Sequence, residues 1–190
     1  TKLPDDQFLE KQWYLYNTGT PDLTNTIRAG QSASGIKPNA DIRAPEAWKL
    51  KNSAKDIIVA VIDSGVYIEH PDLKDNIWVN KGEIPGNGID DDKNGYVDDI
   101  NGWNFITGKG DPSPTEAGRS HGTQVAGVIG AKGNNKIGIS GVTWDTQIMG
   151  INGGGLSPSF HYAIKNKADV INMSIGLVSK INPDRLIEYT

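Results

Sequence analysis

The chain contains no cysteine, which excludes both a disulfide framework and any thiolate metal site and leaves the redox compartment open. It also lacks a basic excess: 19 Lys and Arg stand against 23 Asp and Glu, a net charge of −4. The electrostatic footprint of a nucleic-acid binder is therefore missing, and nucleic acid is not an expected partner. No long hydrophobic run is present either. The longest, "IIVAVI" at residues 57–62, is far too short to cross a bilayer, and the opening "TKLPDDQFLEKQ" has no apolar signal-peptide core. The expectation is a chain that is soluble and membrane-free, or the mature part of something exported.

What is present suffices for a real core. With 190 residues and 36% apolar side chains, one domain or the larger part of one is expected, burying about 70% of the unfolded surface. The run at 57–62 is β-branched but not alternating, which suits a strand covered on both faces. A short helix, "APEAWKLKN", leads into it. After it come a small-residue helix "SHGTQVAGVIGA", a strand around "TQIMGI", a helix around "SFHYAIKNK" and a strand "DVINMSI". The order β, α, β, α, β predicts an α/β fold with a mainly parallel sheet and right-handed crossovers. Residues 19–40 and 80–119, rich in Gly, Asn, Asp and Pro, read as long surface loops. "NPDRLIEYT" carries a helix start, with Asn182 as N-cap and Pro183 at the first helical position, so the given chain is expected to stop inside an element. There is no internal repeat.

The strand 57–62 ends abruptly in "DSG". An acid just beyond the carboxyl end of a parallel strand, at Asp63, is where functional groups of such sheets gather. The ordinary alternative is a turn or cap aspartate. His121 bears on the choice, because it opens a helix of small residues (Gly122, Ala126, Gly127, Gly130, Ala131) that permit very close packing. A lone histidine is more often structural. Two polar groups at element ends facing one sheet edge, however, could meet as an acid that orients an imidazole.

"AVIDSGVYIEH" resembles the aspartate motif of the subtilisin-like serine proteases, "HGTQVAGVIGA" their histidine motif, and "ADVINMSIG" the strand that lines their substrate cleft. "DDQFLEKQWYLYNTG" and "ADIRAPEAW" extend the similarity over nearly the whole chain. The resemblance implies a three-layer, doubly wound, mainly parallel sheet, incomplete at its C-terminal side, with residues 1–190 forming the amino-terminal part of a single peptidase domain. It implies that Asp63 orients His121, that His121 is the general base and acid, and that Ser174, Ile175 and Gly176 offer backbone to a peptide or protein substrate in extended conformation. It further implies a possible propeptide and an extracellular or otherwise exported location. No "GTSMA"-like nucleophile motif occurs, and the oxyanion asparagine of the family would also fall beyond Thr190, so a longer parent protein is expected and the segment alone should be inactive. Two further departures are Gly153, Gly154 and Gly155, where relatives carry a longer connection with a substrate-pairing edge strand, and Gln124, where many have a second histidine. The alternative is a non-catalytic, calcium-binding or peptide-binding module of the same fold.

The stretch "GNGIDDDKNGYVDDINGW" suggests a second chemistry. Asp90, Asp92, Asn94 and Gly95 fit positions one, three, five and six of a calcium loop and Asp98 fits position nine, although Asn101 stands where an EF-hand places glutamate. A solvated acidic loop is the plainer alternative. A second calcium site is implied by the resemblance of "AKGNNKIGISG" to the calcium loop of the thermitase-like branch, with the Asn135 side chain, the carbonyls of Lys132, Ile137 and Ile139, and the carboxylates of Asp5 and Asp72 as ligands. Two other signals carry less. "GVIGAKG" imitates a phosphate loop but ends a helix instead of opening one, and the five tryptophans share no spacing, so they are expected to pack in the core or at its rim.

Overall fold

A computed structural model describes residues 3–19, 37–116, 120–153 and 155–174. Its centre is a four-stranded sheet of order β2-β3-β1-β4, built from β1 (Ser53–Asp63), β2 (Gly102–Asn104), β3 (Asp145–Asn152) and β4 (Val170–Met173). Every pairing is parallel: β1 with β3 from Ile58↔Gln147 to Asp63↔Asn152, β1 with β4 from Val59↔Val170 to Ile62↔Met173, and β2 with β3 from Gly102↔Gly150 to Asn104↔Asn152. All four carboxyl ends therefore open on one edge, and Asp63 lies in the middle of it.

The missing alternation in β1 follows from its position. Successive side chains of a strand point to opposite faces, and here both faces are covered. Val59 and Val61 join Val66, Leu73, Ile148 and Ala126 in one core cluster. Ala60 and Ile62 join Met149, Ile151, Trp78, Trp103, Tyr162 and Ala163 in another. Helix α2 (His121–Gly130) covers the first face and α3 (Leu156–Lys165) the second, which gives the expected three layers. The small residues of α2 are what bring it close: a Cβ at Gly130 would lie 2.6 Å from Thr146 Cγ2. The larger groove on the other face is filled by aromatic side chains, with Tyr96 edge-on to Trp103 at 4.9 Å and to Tyr162 at 4.8 Å. A third cluster of Leu15, Ala44 and Trp48 ties α1 (Ala44–Leu50) to the amino-terminal segment, with Trp48 packed against Trp144 at 5.2 Å.

Residues 80–119, expected as loop throughout, contain β2, which extends the sheet beyond β3. Three residues, Gly-Trp-Asn, are too few to show a period, and the strand exists because β3 offers it a free edge. In the other expected loop, residues 20–36 lie outside the described part. The helix start at Asn182 and Pro183 lies outside it as well. Of the tryptophans, Trp48, Trp78 and Trp103 are buried, whereas Trp13 is exposed. Among the described residues no helix is long and apolar enough to cross a membrane.

Candidate active site and candidate metal loops

Asp63 closes β1 with its side chain only 2% exposed. Its Oδ1 accepts a hydrogen bond from the Ser64 amide at 2.6 Å, and its backbone carbonyl accepts one from the Gly153 amide at 3.1 Å. His121 is the first residue of α2, and its Nδ1 lies 2.9 Å from each carboxylate oxygen of Asp63. A carboxylate only accepts, so Nδ1 carries the proton and Nε2 of the neutral ring is left with a free lone pair. The ring stays accessible, the side chain being 59% exposed.

The encounter is fixed by bonds on both sides of it. The Gly122 amide donates to Ser64 Oγ at 3.3 Å, so the hydroxyl following Asp63 satisfies one free N–H at the start of α2. The Tyr67 amide donates to Thr123 Oγ1 at 3.0 Å. Gln124 turns back along its own helix, donating to Ser120 Oγ at 3.1 Å. Of the three residues expected to face substrate, Ser174 follows β4, is exposed, and accepts a hydrogen bond from Asn172 Nδ2 at 3.0 Å. Ile175 and Gly176 lie outside the described residues. The connection from β3 to α3 is as short as the glycines suggested: β3 ends at Asn152 and α3 begins at Leu156.

The acidic stretch is ordered by its own amides. Asp90 accepts from the backbone of Asn94 and Gly95, and Asp92 accepts from the Asn94 amide and from Asn80 Nδ2. Asp90 and Asp92 do come together, and with Glu83 they present carboxylate oxygens that all lie within 4.8 Å of one another. Two of the expected ligands behave differently. The Asp98 carboxylate is turned onto the amides of Asn87 and Gly88, at 3.2 and 2.9 Å. The Asn94 side chain accepts from the Tyr96 amide and donates to Asp92 and Asp99. Glu83 was not found from the loop pattern because it precedes the loop. It is buried, and its two oxygens accept from the amides of Asp92 and Asp98, both at 3.0 Å, an orientation that brings to the cluster the glutamate missing at position twelve. Behind it lies Asp99, fully buried, which accepts from Tyr162 Oη at 2.7 Å, Asn80 Nδ2 at 2.9 Å and Asn94 Nδ2 at 3.0 Å. Burial outweighs these donors and raises the Asp99 pKa to about 6. Tyr162 is pushed up in turn, by burial first and by Asp99 second.

Of the side chains expected at the second site, Asp72 and Asn135 lie together, and the amino-terminal carboxylate differs by one residue. Asp72 is buried and accepts from Asn135 Nδ2 and the Ile139 amide, each at 2.9 Å. Its pKa is raised, chiefly by burial and against those two donors. The amino-terminal carboxylate that reaches this loop is Asp6, not Asp5: Asp6 is buried and accepts from the amides of Asn134 at 2.8 Å and Asn135 at 3.1 Å, while Asp5 is exposed. The segment is held in this register by the Phe8 amide on the Gly138 carbonyl at 2.8 Å and by Gln12, which both donates to and accepts from the Ser140 backbone. Of the backbone ligands implied by resemblance, Lys132 gives its amide to the Asp72 carbonyl and Ile137 gives its amide to Asn135 Oδ1. The loop is thus organised around Asp72 and Asn135.

Known proteins resemble this chain over most of its length. The model of the subtilase family matches residues 54–188. Subtilisin-like protease 1 of Plasmodium berghei (strain Anka) is 40% identical over 135 residues, which are 66% of this chain and 22% of that protein. The major intracellular serine protease of Bacillus subtilis (strain 168) is 35% identical over 168 residues, 82% of this chain and 45% of that protein. In three dimensions, the Aeromonas sobria serine protease crystallised with its chaperone superimposes with a TM-score of 0.69 at 26% identity, covering 100% of this chain and 30% of that one. The chain spans well under two thirds of each of these proteins. The family match covers most of the sequence and includes both Asp63 and His121, and the chain belongs to the subtilase family.

Proposed function

We propose that this chain is the amino-terminal part of the peptidase domain of a serine endopeptidase and supplies the acid and the base of an Asp-His-Ser triad. The observation that carries this reading is the Nδ1 contact of His121 with Asp63 at the carboxyl edge of a parallel sheet. With Nδ1–H committed to the acid, Nε2 can take the proton of a serine hydroxyl as that oxygen attacks a peptide carbonyl, then return it to the leaving amine. Asp63 holds the tautomer and stabilises the imidazolium formed in between. No nucleophile motif of the family occurs among these 190 residues, and on this reading the chain supplies only the acid and the base. The extended peptide is taken to lie along the end of β4 beside Ser174, while Ile175 and Gly176, the other two residues expected to face it, lie outside the described part. A propeptide is the natural first occupant of the same cleft. The test is peptide hydrolysis by the full-length protein with and without His121; turnover that persists at the parental rate in His121→Ala places the chemistry elsewhere.

The two loops are read as calcium sites. Their donors are carboxylate, amide and carbonyl oxygens, which suit a hard cation. In the acidic loop Glu83, Asp90 and Asp92 converge, and Asn94 and Asp98 support them through the hydrogen bonds described. In the second loop Asp6, Asp72 and Asn135 would hold the ion, with Lys132, Ile137 and Ile139 shaping the backbone around it. The role is structural: a cation there binds only the folded state, and in the second loop it joins segments distant in sequence. Calcium is expected to stabilise the full-length protein in a saturable way, by about 2.7 kcal/mol per site at a hundredfold excess over Kd. Magnesium should not match it, because the smaller ion demands a tighter octahedron. Thermal melts of the parent, Asp90→Ala/Asp92→Ala and Glu83→Gln at matched ionic strength test this; an unchanged calcium response in both variants removes the acidic loop as a site. Sites of this kind fill readily in a millimolar calcium environment, which supports action outside the cytoplasm. The Bacillus relative is by name intracellular, so this reading of the compartment rests on the proposed metal chemistry and not on kinship.

A further inference from the structure

β3 is apolar through its buried length and then ends in an amide. Asn152 is buried, is the register partner of Asp63 on one side and Asn104 on the other, and bridges to Ser64. A buried amide is costly unless it is paired. The partner of Asn152 Nδ2 is the carbonyl of Ser113, at 3.0 Å, and Asn104 Nδ2 reaches the same oxygen at 3.4 Å. Two adjacent strand ends therefore hold one carbonyl of a segment that has no secondary structure of its own.

That segment, residues 112–114, lies directly on the turn that follows Asp63. The Val66 amide donates to the Pro112 carbonyl at 3.0 Å. A Cβ at Gly65 would sit 2.7 Å from Pro114 N, 2.8 Å from Pro112 O and 2.9 Å from Asn152 Nδ2. The strap thus lies against Gly65 and Val66, on the turn that follows Asp63.

Resting on the reading of Asp63 and His121 given above, we propose that Asn152 is a positioning residue: by gripping the Ser113 carbonyl it pins the strap on the turn that follows Asp63 and so holds the acid in the position its bond to His121 requires. An apolar side chain at 152 would fill the space but remove the shorter of the two bonds to the Ser113 carbonyl, leaving the one from Asn104 at 3.4 Å. Asn152 touches neither substrate nor the transferred proton, so its effect appears in turnover and in the character of the Asp63–His121 hydrogen bond, not in substrate affinity.

The experiment compares the full-length enzyme with Asn152→Ala and Asn152→Ser, measuring kcat and KM on a peptide substrate and, on histidine-labelled protein, the downfield proton resonance of His121 Nδ1–H. The expected result is a kcat about tenfold lower with KM within about twofold, together with loss or exchange broadening of the Nδ1–H resonance in folded protein. A merely structural role would lower the melting temperature and leave that resonance in place, and such an outcome overturns the proposal. Parental kcat and an unchanged resonance overturn it too. If Asn152→Ala does not fold, Asn152→Ser, which keeps a polar group too short to reach Ser113, decides by the same two readouts. Failure of the underlying reading looks different: His121→Ala would then remain active, whatever the behaviour at position 152.

Discussion

Replacing His121 with alanine in the full-length enzyme is expected to lower kcat by about 10⁴ to 10⁶, and Asp63→Asn by about 10⁴, with little change in KM for either. The two losses have different origins. On the proposed reading, losing His121 removes the base that takes the serine proton, its ring being the group that meets the acid among the described residues. In Asp63→Asn the ring remains, but an amide at 63 can donate to Nδ1 and so favours the tautomer protonated at Nε2, which has no lone pair where the base is needed. Folding should survive both changes. The His121 side chain is more than half exposed, and asparagine at 63 keeps an oxygen for the Ser64 amide, which now bonds to Asp63 Oδ1. The check is kcat and KM on a peptide substrate, with circular dichroism to confirm the fold. An Asp63→Asn enzyme as fast as the parent would show that the acid is a turn residue after all.

The two positions were marked in the sequence by local chemistry, each standing at an element boundary, while their pairing as acid and base came from the family resemblance. An unbroken β-branched run that stops at Asp-Ser-Gly fixes a buried strand and its carboxyl end. The small residues after His121 fix a helix able to press on that strand. The β, α, β order allows the two to meet at one sheet edge, and the structure shows that they do. The layers were legible for the same reason: both faces of β1 read as apolar, and the structure covers both.

What escaped depends on contacts that no local pattern encodes. β2 is three residues long and exists because β3 presents an open edge to it. Glu83 lies outside the spacing of a calcium loop and reaches the cluster only because the chain folds back to give its carboxylate the amides of Asp92 and Asp98. Asp98 fitted the spacing but holds the turn at Asn87 and Gly88 instead. The exchange of Asp5 for Asp6 is a register of one residue, set by Phe8 and Gln12 on the 138–140 backbone. Asn152 and Asn104 read as the polar ends of short strands, and their common grip on Ser113 becomes visible only when three segments are placed side by side.

Gly122→Ala is expected to cost the full-length enzyme about 10² in kcat and about 1–3 kcal/mol of stability, against the gain that helix propensity alone would give. Alanine is the better helix former by about 1 kcal/mol, so an open helix would be stabilised. At 122 the added methyl has no room. It would run into the Gly65 carbonyl oxygen and lie 2.8 Å from Asp63 Cβ and 3.2 Å from Asp63 Cγ. The carbonyl is backbone and Asp63 is buried between two strands, so the helix must give way, and its first turn carries His121. A shift of about 1 Å there is enough to lengthen the Asp63–His121 contact and misdirect Nε2. Gly127→Ala supplies the control on the same helix: its methyl would meet only Ile139 Cδ1, at 3.5 Å, an ordinary van der Waals distance. That variant should keep full activity and gain about 0.5–1 kcal/mol from the lost freedom of the unfolded chain. Melting temperatures and kcat measured for both substitutions separate the two effects. If Gly122→Ala matched Gly127→Ala in stability and turnover, the close approach of α2 to β1 could not be what holds the acid and the base together.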